Sequence, residues 1–275
     1  MEDSMLEFLK AVFFGIVEGI TEWLPISSTG HLILLNEFIS LDVSEQFFSM
    51  FEVVIQLGAI LAVVLLFWNE IWPFSAKEKH YIRQDTFIMW FKIVVACIPA
   101  AVVEILFGDV IEELFYNYIV IAFALILFGI AFLVIESRNK SRTPKMETIP
   151  DITWQTAFWI GMFQLIAAVF PGTSRSGATI LGGILLGVSR ATAAEFTFFL
   201  AIPVMFGASL MKVLKFGFVF TSSELLILLV GMVTAFLVSI VVIRFLMGYI
   251  KKHDFKVFGW YRIVLGILVL CYFTL

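Results

Sequence analysis

The sequence predicts an all-α polytopic membrane protein with six full transmembrane helices and two re-entrant helical hairpins. We expect an inverted-topology repeat whose hairpins meet near the midplane. Three observations predict this fold class. Hydrophobic residues make up 61% of the 275 residues and charged residues only 15%, too few to cover a surface facing water. Six segments have the length and apolar character of bilayer spans, and two further apolar segments are interrupted by proline, glycine and hydroxyl residues.

The six predicted spans each supply about 20 mostly apolar residues, which is the length that crosses the hydrocarbon core. Arg244 and Arg262 lie within the last two spans and are expected to extend toward the cytoplasmic face. Cys97 and Cys271 also lie in apolar segments and are expected to be free thiols. The spans are residues 47–68, 86–107, 118–136, 193–211, 224–248 and 257–275.

The two interrupted segments are predicted to be helical hairpins. Residues 5–39 break at residues 25–30, PISSTG, and residues 154–188 break at residues 171–177, PGTSRSG. Apolar stretches divided by glycine and proline are typical of half-helices that fold back within the membrane. Irregular backbone at that depth is tolerated only where it is buried or lines a cavity, so each break is expected to do one or the other.

The order of a hairpin followed by three spans occurs twice, which predicts two repeats, residues 1–140 and 141–275, in one membrane domain. A re-entrant hairpin returns to its own side and three spans cross an odd number of times. The second repeat therefore enters from the opposite face and is inverted. An offset of 146 residues places Glu18 on Gln164. The same offset pairs Gly15 with Gly161, Ile20 with Ile166, Pro25 with Pro171, Ser28 with Ser174 and Leu35 with Leu181.

Charged loops predict the orientation of the chain. One side of the membrane carries a strong excess of basic residues and is therefore expected to be cytoplasmic. Both termini then face outward, the first hairpin enters from outside and the second from the cytoplasm. The net charge of −4 does not suggest a nucleic-acid partner. The basic residues are Lys77, Lys79, Arg83, Arg138, Lys140, Arg142, Lys145, Arg190, Lys251, Lys252 and Lys256.

The first break brings acidic, hydroxyl and imidazole groups together. Glu18 and Glu22 are four residues apart and share one helix face, so a cation or a proton is expected between them. The alternative is a carboxylate pair near the membrane surface, bonded to hydroxyls and water. Ser28 or Thr29 is predicted to cap the following helix. His31 is interpreted as an acid/base or nucleophilic group, or as a histidine bonded to a neighbour.

The second break is predicted to hold phosphate. Arg175 offers a planar fork suited to phosphate oxygens, and Ser174 and Ser176 add donors. Gly172 and Gly177 allow the backbone to approach a ligand closely, and the next helix points its N-terminus at the same place. An ion pair with one of the two glutamates is the alternative for the arginine. A pyrophosphate chelated by Mg²⁺ or Ca²⁺ would match both breaks.

The two motifs also carry a family resemblance. EGITEWLPISSTGH at residues 18–31 and PGTSRSG at residues 171–177 resemble the undecaprenyl-diphosphate phosphatase family, also called bacitracin-resistance proteins, and the similarity extends to EFTFFLAIP at residues 195–203. The resemblance implies hydrolysis of undecaprenyl diphosphate to undecaprenyl phosphate, which recycles the carrier lipid for peptidoglycan synthesis. It further implies a divalent cation, a site open to the outer face of the bacterial cell membrane, and homodimers.

The resemblance also implies roles for individual residues. Glu18 and Glu22 would bind the metal and poise water, while Ser28 or His31 would act as nucleophile or acid/base. Attack by water instead of either side chain is equally compatible with the pattern. The phosphate-binding set is Arg175, Ser174 and Ser176, to which we add Ser27, Thr29 and Thr179.

A transporter is the competing interpretation, because inverted repeats with broken helices are typical of secondary transporters. A lipid-phosphate flippase or an ion-coupled carrier would use the same fold. His31 and the clustered hydroxyls favour an enzyme, since carboxylates beside a phosphate hinder reversible anion binding unless a cation is present. A purely structural scaffold does not account for Arg175 at membrane depth. The expected partners are therefore a polyprenyl diphosphate lipid and the bilayer.

Overall fold

A computed structural model of the chain describes residues 2–75, 82–140 and 142–274. This part of the chain is helical throughout, apart from connecting turns, one short 3-10 turn at Ile149–Asp151 and two isolated β-bridges. The all-α fold class is thereby confirmed. The helices are α1 (Glu2–Thr21), α2 (Ser28–Phe38), α3 (Glu45–Val54), α4 (Gln56–Leu66), α5 (Trp68–Ile71), α6 (Gln84–Phe115), α7 (Tyr118–Asn139), α8 (Trp154–Val169), α9 (Arg175–Leu185), α10 (Arg190–Phe216), α11 (Ser222–Tyr249) and α12 (Lys256–Thr274).

Six helical segments are long and apolar enough to cross a membrane, with mean hydropathies of 1.8 to 3.0 in their best windows. They are α3 joined to α4, then α6, α7, α10, α11 and α12, and they confirm the six predicted spans. Ile55 between α3 and α4 keeps a right-handed helical conformation, so the two helices continue one span. One boundary prediction is wrong: the span predicted at 86–107 continues as α6 to Phe115, so Asp109, Glu112 and Glu113 lie in the last turns of this helix.

Both interrupted segments form a helix, a short break and a second helix, and both breaks begin and end earlier than predicted. The first occupies residues 22–27 and the second residues 170–174. Ser27 caps α2, and its hydroxyl accepts from the Gly30 backbone N–H at 3.4 Å. The prediction of Ser28 or Thr29 as the cap is therefore wrong, because both residues already lie in the first turn of α2.

Ser27 and Ser174 share an unusual backbone conformation. Ser174 caps α9 and accepts from the Gly177 backbone N–H at 3.1 Å. The φ angles of Ser27 and Ser174 are 76° and 70°, in the left-handed region that residues other than glycine rarely adopt. Positive φ turns the chain sharply, so each break enters its second helix abruptly. The two caps are 147 residues apart, one more than the offset that aligned the sequence.

The helices pack in pairs that combine the two halves of the chain. The helix before the first break, α1, lies against α11, and the helix before the second break, α8, lies against α6. Helices α3 and α4 contact α10, and α7 contacts α12. Glycines permit the contacts of α1 and α8. A methyl group on Gly15 would lie 2.6 Å from the Gly231 carbonyl oxygen, and one on Gly161 would overlap the backbone of Ala96. Residues 176–184 of α9 are all buried beside α8 and α10.

An ion pair between Glu136 and Arg190 lies at the end of α7 that is far from the α6–α7 connection. Glu136 near the end of α7 is fully buried and accepts two hydrogen bonds from Arg190 Nε, at 2.9 and 3.0 Å. The Phe255 backbone N–H also donates to this carboxylate, at 3.1 Å. The start of α10 and the start of α12 are thus held against α7. Lys77 and Lys79, which contributed to the predicted orientation, lie outside the described residues.

Candidate active site

A cavity of about 150 Å³ lies where the two breaks meet. Apolar residues of α8 and α10 complete its walls, and Gln56 at the start of α4 adds an amide. The structure therefore brings six of the predicted site residues to one place, although the two breaks are far apart in the sequence. These six residues are Glu22, Ser27, Ser28, Thr29, Ser174 and Arg175.

Glu22 joins the two breaks. It follows the last residue of α1 and is 6% exposed. One carboxylate oxygen accepts from Arg175 Nη2 at 2.9 Å, and the other accepts from the Ser28 hydroxyl at 2.7 Å. The ion pair that the sequence left as an alternative for the arginine is therefore present, and it lies at the cavity. Because both oxygens are engaged, the carboxylate is held in one orientation.

Arg175 is the first residue of α9, so its charge lies at the N-terminus of that helix and adds to the positive end of the helix dipole. Its Nη1 donates to the Thr197 carbonyl of α10 at 3.1 Å. Its buried Nε has no hydrogen-bond partner among the described residues. The guanidinium is thereby fixed by two contacts at the cavity that Arg175 lines, and a positive charge at a helix N-terminus suits an anion.

Ser176 and Thr179 support the second break and do not line the cavity. The Ser176 hydroxyl donates to the Glu22 backbone carbonyl at 3.1 Å and lies 3.1 Å from the Ser174 hydroxyl. Thr179 is completely buried, donates to the Arg175 carbonyl at 2.9 Å and accepts from Thr197 at 2.9 Å. Both hydroxyls are bonded to protein groups and neither belongs to the cavity lining, so their contact with phosphate stays a prediction.

Glu18 lies one turn before Glu22 on α1 and is completely buried. Neither of its carboxylate oxygens has a hydrogen-bond partner among the described residues, and it does not line the cavity. Gln164 of α8, the residue that the sequence offset paired with Glu18, is also buried without a hydrogen-bond partner for its amide. A buried carboxylate without a partner is costly unless it binds a proton or a cation.

The predicted metal site consists of two carboxylates, and the described residues supply no third histidine, cysteine, aspartate or glutamate ligand. Within the described ranges, no group of three or more histidine, cysteine, aspartate or glutamate side chains could hold a metal ion. Glu18 in the last turn of α1 and Glu22 directly after that helix remain one turn apart, and phosphate oxygens commonly complete the ligand set of Mg²⁺ or Ca²⁺. The metal assignment therefore stays a prediction.

His31 is not among the residues that line the cavity. It lies in the second turn of α2, and its Nδ1 is 2.7 Å from the Ser27 carbonyl oxygen. Its Nε2 is 2.6 Å from the hydroxyl of Tyr261 on α12, and the two rings are parallel. Both ring nitrogens of His31, the predicted acid/base or nucleophilic residue, are therefore hydrogen-bonded to protein groups.

Arg262 of α12 is a site residue that the sequence interpretation missed. It is completely buried, whereas it was expected to extend to the membrane surface, so that prediction is wrong. Its Nη1 donates to the Pro25 carbonyl at 3.1 Å, and its Nη2 donates to the carbonyls of Gly172 and Thr173 at 2.9 and 2.7 Å. One guanidinium therefore connects the two breaks. An ionisable residue inside a span is a functional candidate by default, and that signal was available in the sequence.

The fold and this site define a class: a multi-pass membrane protein in which a carboxylate, an arginine and several hydroxyls from two broken helices line one cavity. Within this class, the family model described as bacitracin resistance protein BacA matches residues 11–268, and the chain belongs to that family.

Curated relatives cover nearly the whole chain. An undecaprenyl-diphosphatase of Desulfitobacterium hafniense is 64% identical over 271 residues, which is 98% of each chain. Undecaprenyl-diphosphatase 1 of Clostridium acetobutylicum is 63% identical over 98% of each chain. An undecaprenyl-diphosphatase of Enterococcus faecalis is 62% identical over 97% of each chain. The resemblance to this family that the two motifs indicated is thereby confirmed.

Proposed function

We propose that the chain hydrolyses undecaprenyl diphosphate to undecaprenyl phosphate and inorganic phosphate in the bacterial cell membrane. This reaction recycles the carrier lipid for peptidoglycan synthesis and confers resistance to bacitracin. The names of the full-length relatives support the substrate. The lipid's polyprenyl chain would remain in the bilayer while the diphosphate enters the cavity.

The observation that carries the proposal is the contact of Glu22 with both Arg175 and Ser28 at the cavity. Phosphoryl transfer depends mainly on positioning and on neutralising charge around phosphorus. Arg175 and the N-terminus of α9 supply positive charge for the phosphate oxygens. The hydroxyls that line the cavity add donors, and the buried setting strengthens each of these interactions.

Ser28 is the proposed nucleophile, because it is the cavity hydroxyl that donates to a carboxylate, at 2.7 Å. Its oxygen would attack the terminal phosphorus while Glu22 takes the hydroxyl proton. The bridging P–O bond breaks, and undecaprenyl phosphate leaves with the electron pair. Glu22 would pass this proton to the departing lipid phosphate, and the regenerated carboxylate would deprotonate a water molecule that attacks the phosphoserine. The Ser28 O–P bond then breaks, Glu22 returns the proton to the Ser28 oxygen, and inorganic phosphate leaves. In the alternative, Ser28 orients a water molecule that attacks directly.

A divalent cation is proposed as the cofactor, held by Glu18 and Glu22. The unpartnered, fully buried carboxylate of Glu18 supports this assignment, since its two oxygens suit Mg²⁺ or Ca²⁺. When bound, the cation would neutralise part of the diphosphate charge. Glu18 and Glu22 would hold the cation, and Arg175 would bind the phosphate oxygens.

A phosphate-release assay with purified protein in detergent tests the proposal. We expect steady release from undecaprenyl diphosphate, loss of release with EDTA, and recovery with added Mg²⁺ or Ca²⁺. Ser28→Ala is expected to lower kcat by about 10²-fold or more, the scale of general acid–base catalysis. With Ser28 as nucleophile, acid quenching should also trap a phosphoprotein that Ser28→Ala lacks. Retained lipid binding without any release would favour the flippase or carrier that the repeated architecture also permits.

The inverted repeat, with re-entrant hairpins and halves 1–140 and 141–275, belongs to the same proposal. Two kinds of observation support it. Each half has a break followed by a helix that a serine of positive φ caps, and each main packing pair joins a helix of one half to a helix of the other. With both termini outside, a single cysteine placed at either terminus, in a Cys97→Ser/Cys271→Ser background, should react with an impermeant maleimide in intact cells. Labelling of one terminus alone would contradict the inverted topology. Homodimers remain a prediction.

A further inference from the structure

We propose that His31 neither attacks phosphorus nor transfers a proton to the substrate, and that it forms with Tyr261 a positioning pair for the first break. This inference rests on the proposed function, because it assigns a role within that reaction. The pair would hold the Ser27 peptide in its left-handed conformation, and through it the orientation of Ser28 toward Glu22. Tyr261 has no role in either sequence motif.

The hydrogen bonds of His31 determine its tautomer. A carbonyl oxygen can only accept, so the 2.7 Å contact with the Ser27 carbonyl requires a proton on Nδ1. In a neutral ring, Nε2 then carries the lone pair, and the Tyr261 hydroxyl donates to it across 2.6 Å. The two contacts occupy both ring nitrogens. A proton or a phosphoryl group could reach Nε2 only after Tyr261 had moved away.

The position of His31 agrees with this role. The cavity lining includes Ser27, Ser28 and Thr29 but not the imidazole. The parallel rings of His31 and Tyr261 have centroids 5.6 Å apart, and the Tyr261 hydroxyl meets the imidazole at Nε2. The imidazole therefore contacts the backbone of the break at the Ser27 carbonyl, where it can set backbone geometry.

Ser27 is the residue that needs such support. It is 1% exposed, its φ is 76°, and its hydroxyl makes a rather long cap contact of 3.4 Å with Gly30 N–H. Its carbonyl belongs to the peptide that leads directly into Ser28. Rotation of that peptide would move the Ser28 hydroxyl away from Glu22. The bond from His31 Nδ1 opposes this rotation, and Tyr261 keeps the required proton on Nδ1.

The inference predicts different results for two substitutions of one residue. The side-chain N–H of asparagine extends to about the position of histidine Nδ1, so His31→Asn retains the donor to Ser27, whereas His31→Ala removes it. We expect His31→Ala to lower kcat by about 10²-fold, because small misplacements of reacting groups have effects of this size, and His31→Asn to stay within about fivefold of the parent protein. KM should change little in either variant.

Tyr261→Phe removes only the hydroxyl that selects the tautomer. We expect kcat to fall by about three- to tenfold, since the second tautomer presents a lone pair to the Ser27 carbonyl and disrupts the break. The pH–rate profiles of Tyr261→Phe and His31→Asn should keep the shape of the parent profile. A general acid or base at position 31 would instead remove one limb of the profile when it is replaced by asparagine.

The chain offers matched controls for both substitutions. His253 also places Nδ1 near the carbonyl four residues earlier, that of Tyr249, at 3.1 Å, and it stacks on a tyrosine ring outside the site. Tyr272 lies on the same helix as Tyr261 and is similarly exposed. His253→Ala and Tyr272→Phe are therefore expected to keep kcat and KM within about twofold, as surface substitutions usually do.

Two outcomes would overturn the inference. Either His31→Asn is as inactive as His31→Ala and loses a limb of its pH profile, or His31→Ala remains fully active. Size-exclusion profiles and thermal unfolding of each variant separate misfolding from a loss of positioning, and the asparagine variant tests the inference even when the alanine variant does not fold. If the parent protein releases no phosphate at all, the proposed function fails instead, so the two failures are distinguishable.

Discussion

Replacing Arg175 with methionine is expected to lower kcat/KM for undecaprenyl diphosphate by about 10³-fold, because an arginine that stabilises a transferring phosphoryl group contributes on this scale. The same substitution leaves Glu22 buried beside the cavity without its cationic partner. Glu22→Gln is expected to lower kcat by about 10²-fold or more, because it removes both the base and the charge that holds the guanidinium. Phosphate release by purified variants measures both effects.

The double variant Glu22→Gln/Arg175→Met distinguishes a joint role from two separate ones. Residues that act as a unit show strongly non-additive effects, so the double variant should be hardly slower than the slower single variant. Asp109 and Lys215 form a matched control pair, since they are exposed and 2.8 Å apart. Neutralising that pair should leave kcat/KM within about twofold, as expected for surface ion pairs. Additive losses in the double variant, or near-normal single variants, would contradict the site.

The substitution Arg262→Met should weaken both stability and turnover. It leaves the carbonyls of Pro25, Gly172 and Thr173 without their donor, and each unsatisfied buried group costs about 1–3 kcal/mol. We expect a clear fall in the midpoint of thermal unfolding in detergent. We also expect kcat to fall by about 10–10²-fold, because the two breaks are no longer connected and the distance between Glu22 and Arg175 is less restricted.

Arg262→Lys separates charge from geometry. Lysine keeps the positive charge but lacks the planar fork that reaches carbonyls on both sides, so an intermediate loss of kcat is expected. Arg244 on α11 is exposed and serves as the control, and Arg244→Met should change neither the unfolding midpoint nor kcat appreciably. Full activity of folded Arg262→Met would show that the two breaks keep their geometry without this residue.

The fold class and the six spans could be predicted from the sequence because they depend on local composition. A segment of about 20 apolar residues spans a bilayer whatever its neighbours are, and proline, glycine and hydroxyl clusters interrupt helices locally. The boundaries were less predictable. The acidic residues at the end of α6 are still helical. Ser27, rather than Ser28 or Thr29, caps α2, because a cap depends on a backbone angle that composition does not specify.

The candidate site was predicted in the same uneven way. The two motifs supplied Glu22, Ser28 and Arg175, which line one cavity, since polar residues in an apolar run stand out in the sequence itself. They also supplied His31 and Thr179, whose side chains are hydrogen-bonded to the Tyr261 hydroxyl and the Arg175 carbonyl. Whether a polar side chain faces a cavity or a neighbouring carbonyl depends on packing around it, which a linear pattern does not contain.

By itself, therefore, the sequence determined that this protein lies in a membrane, how many spans it has, roughly where its two breaks fall and which chemical groups occur there. Only the tertiary structure decided which of those groups meet. Glu22 and Arg175 are 153 residues apart, and His31 and Tyr261 are 230 residues apart. Arg262, from the last helix, connects the two breaks through backbone carbonyls. Because every residue has the same backbone carbonyl, no sequence pattern predicts such contacts. They depend on the three-dimensional packing alone.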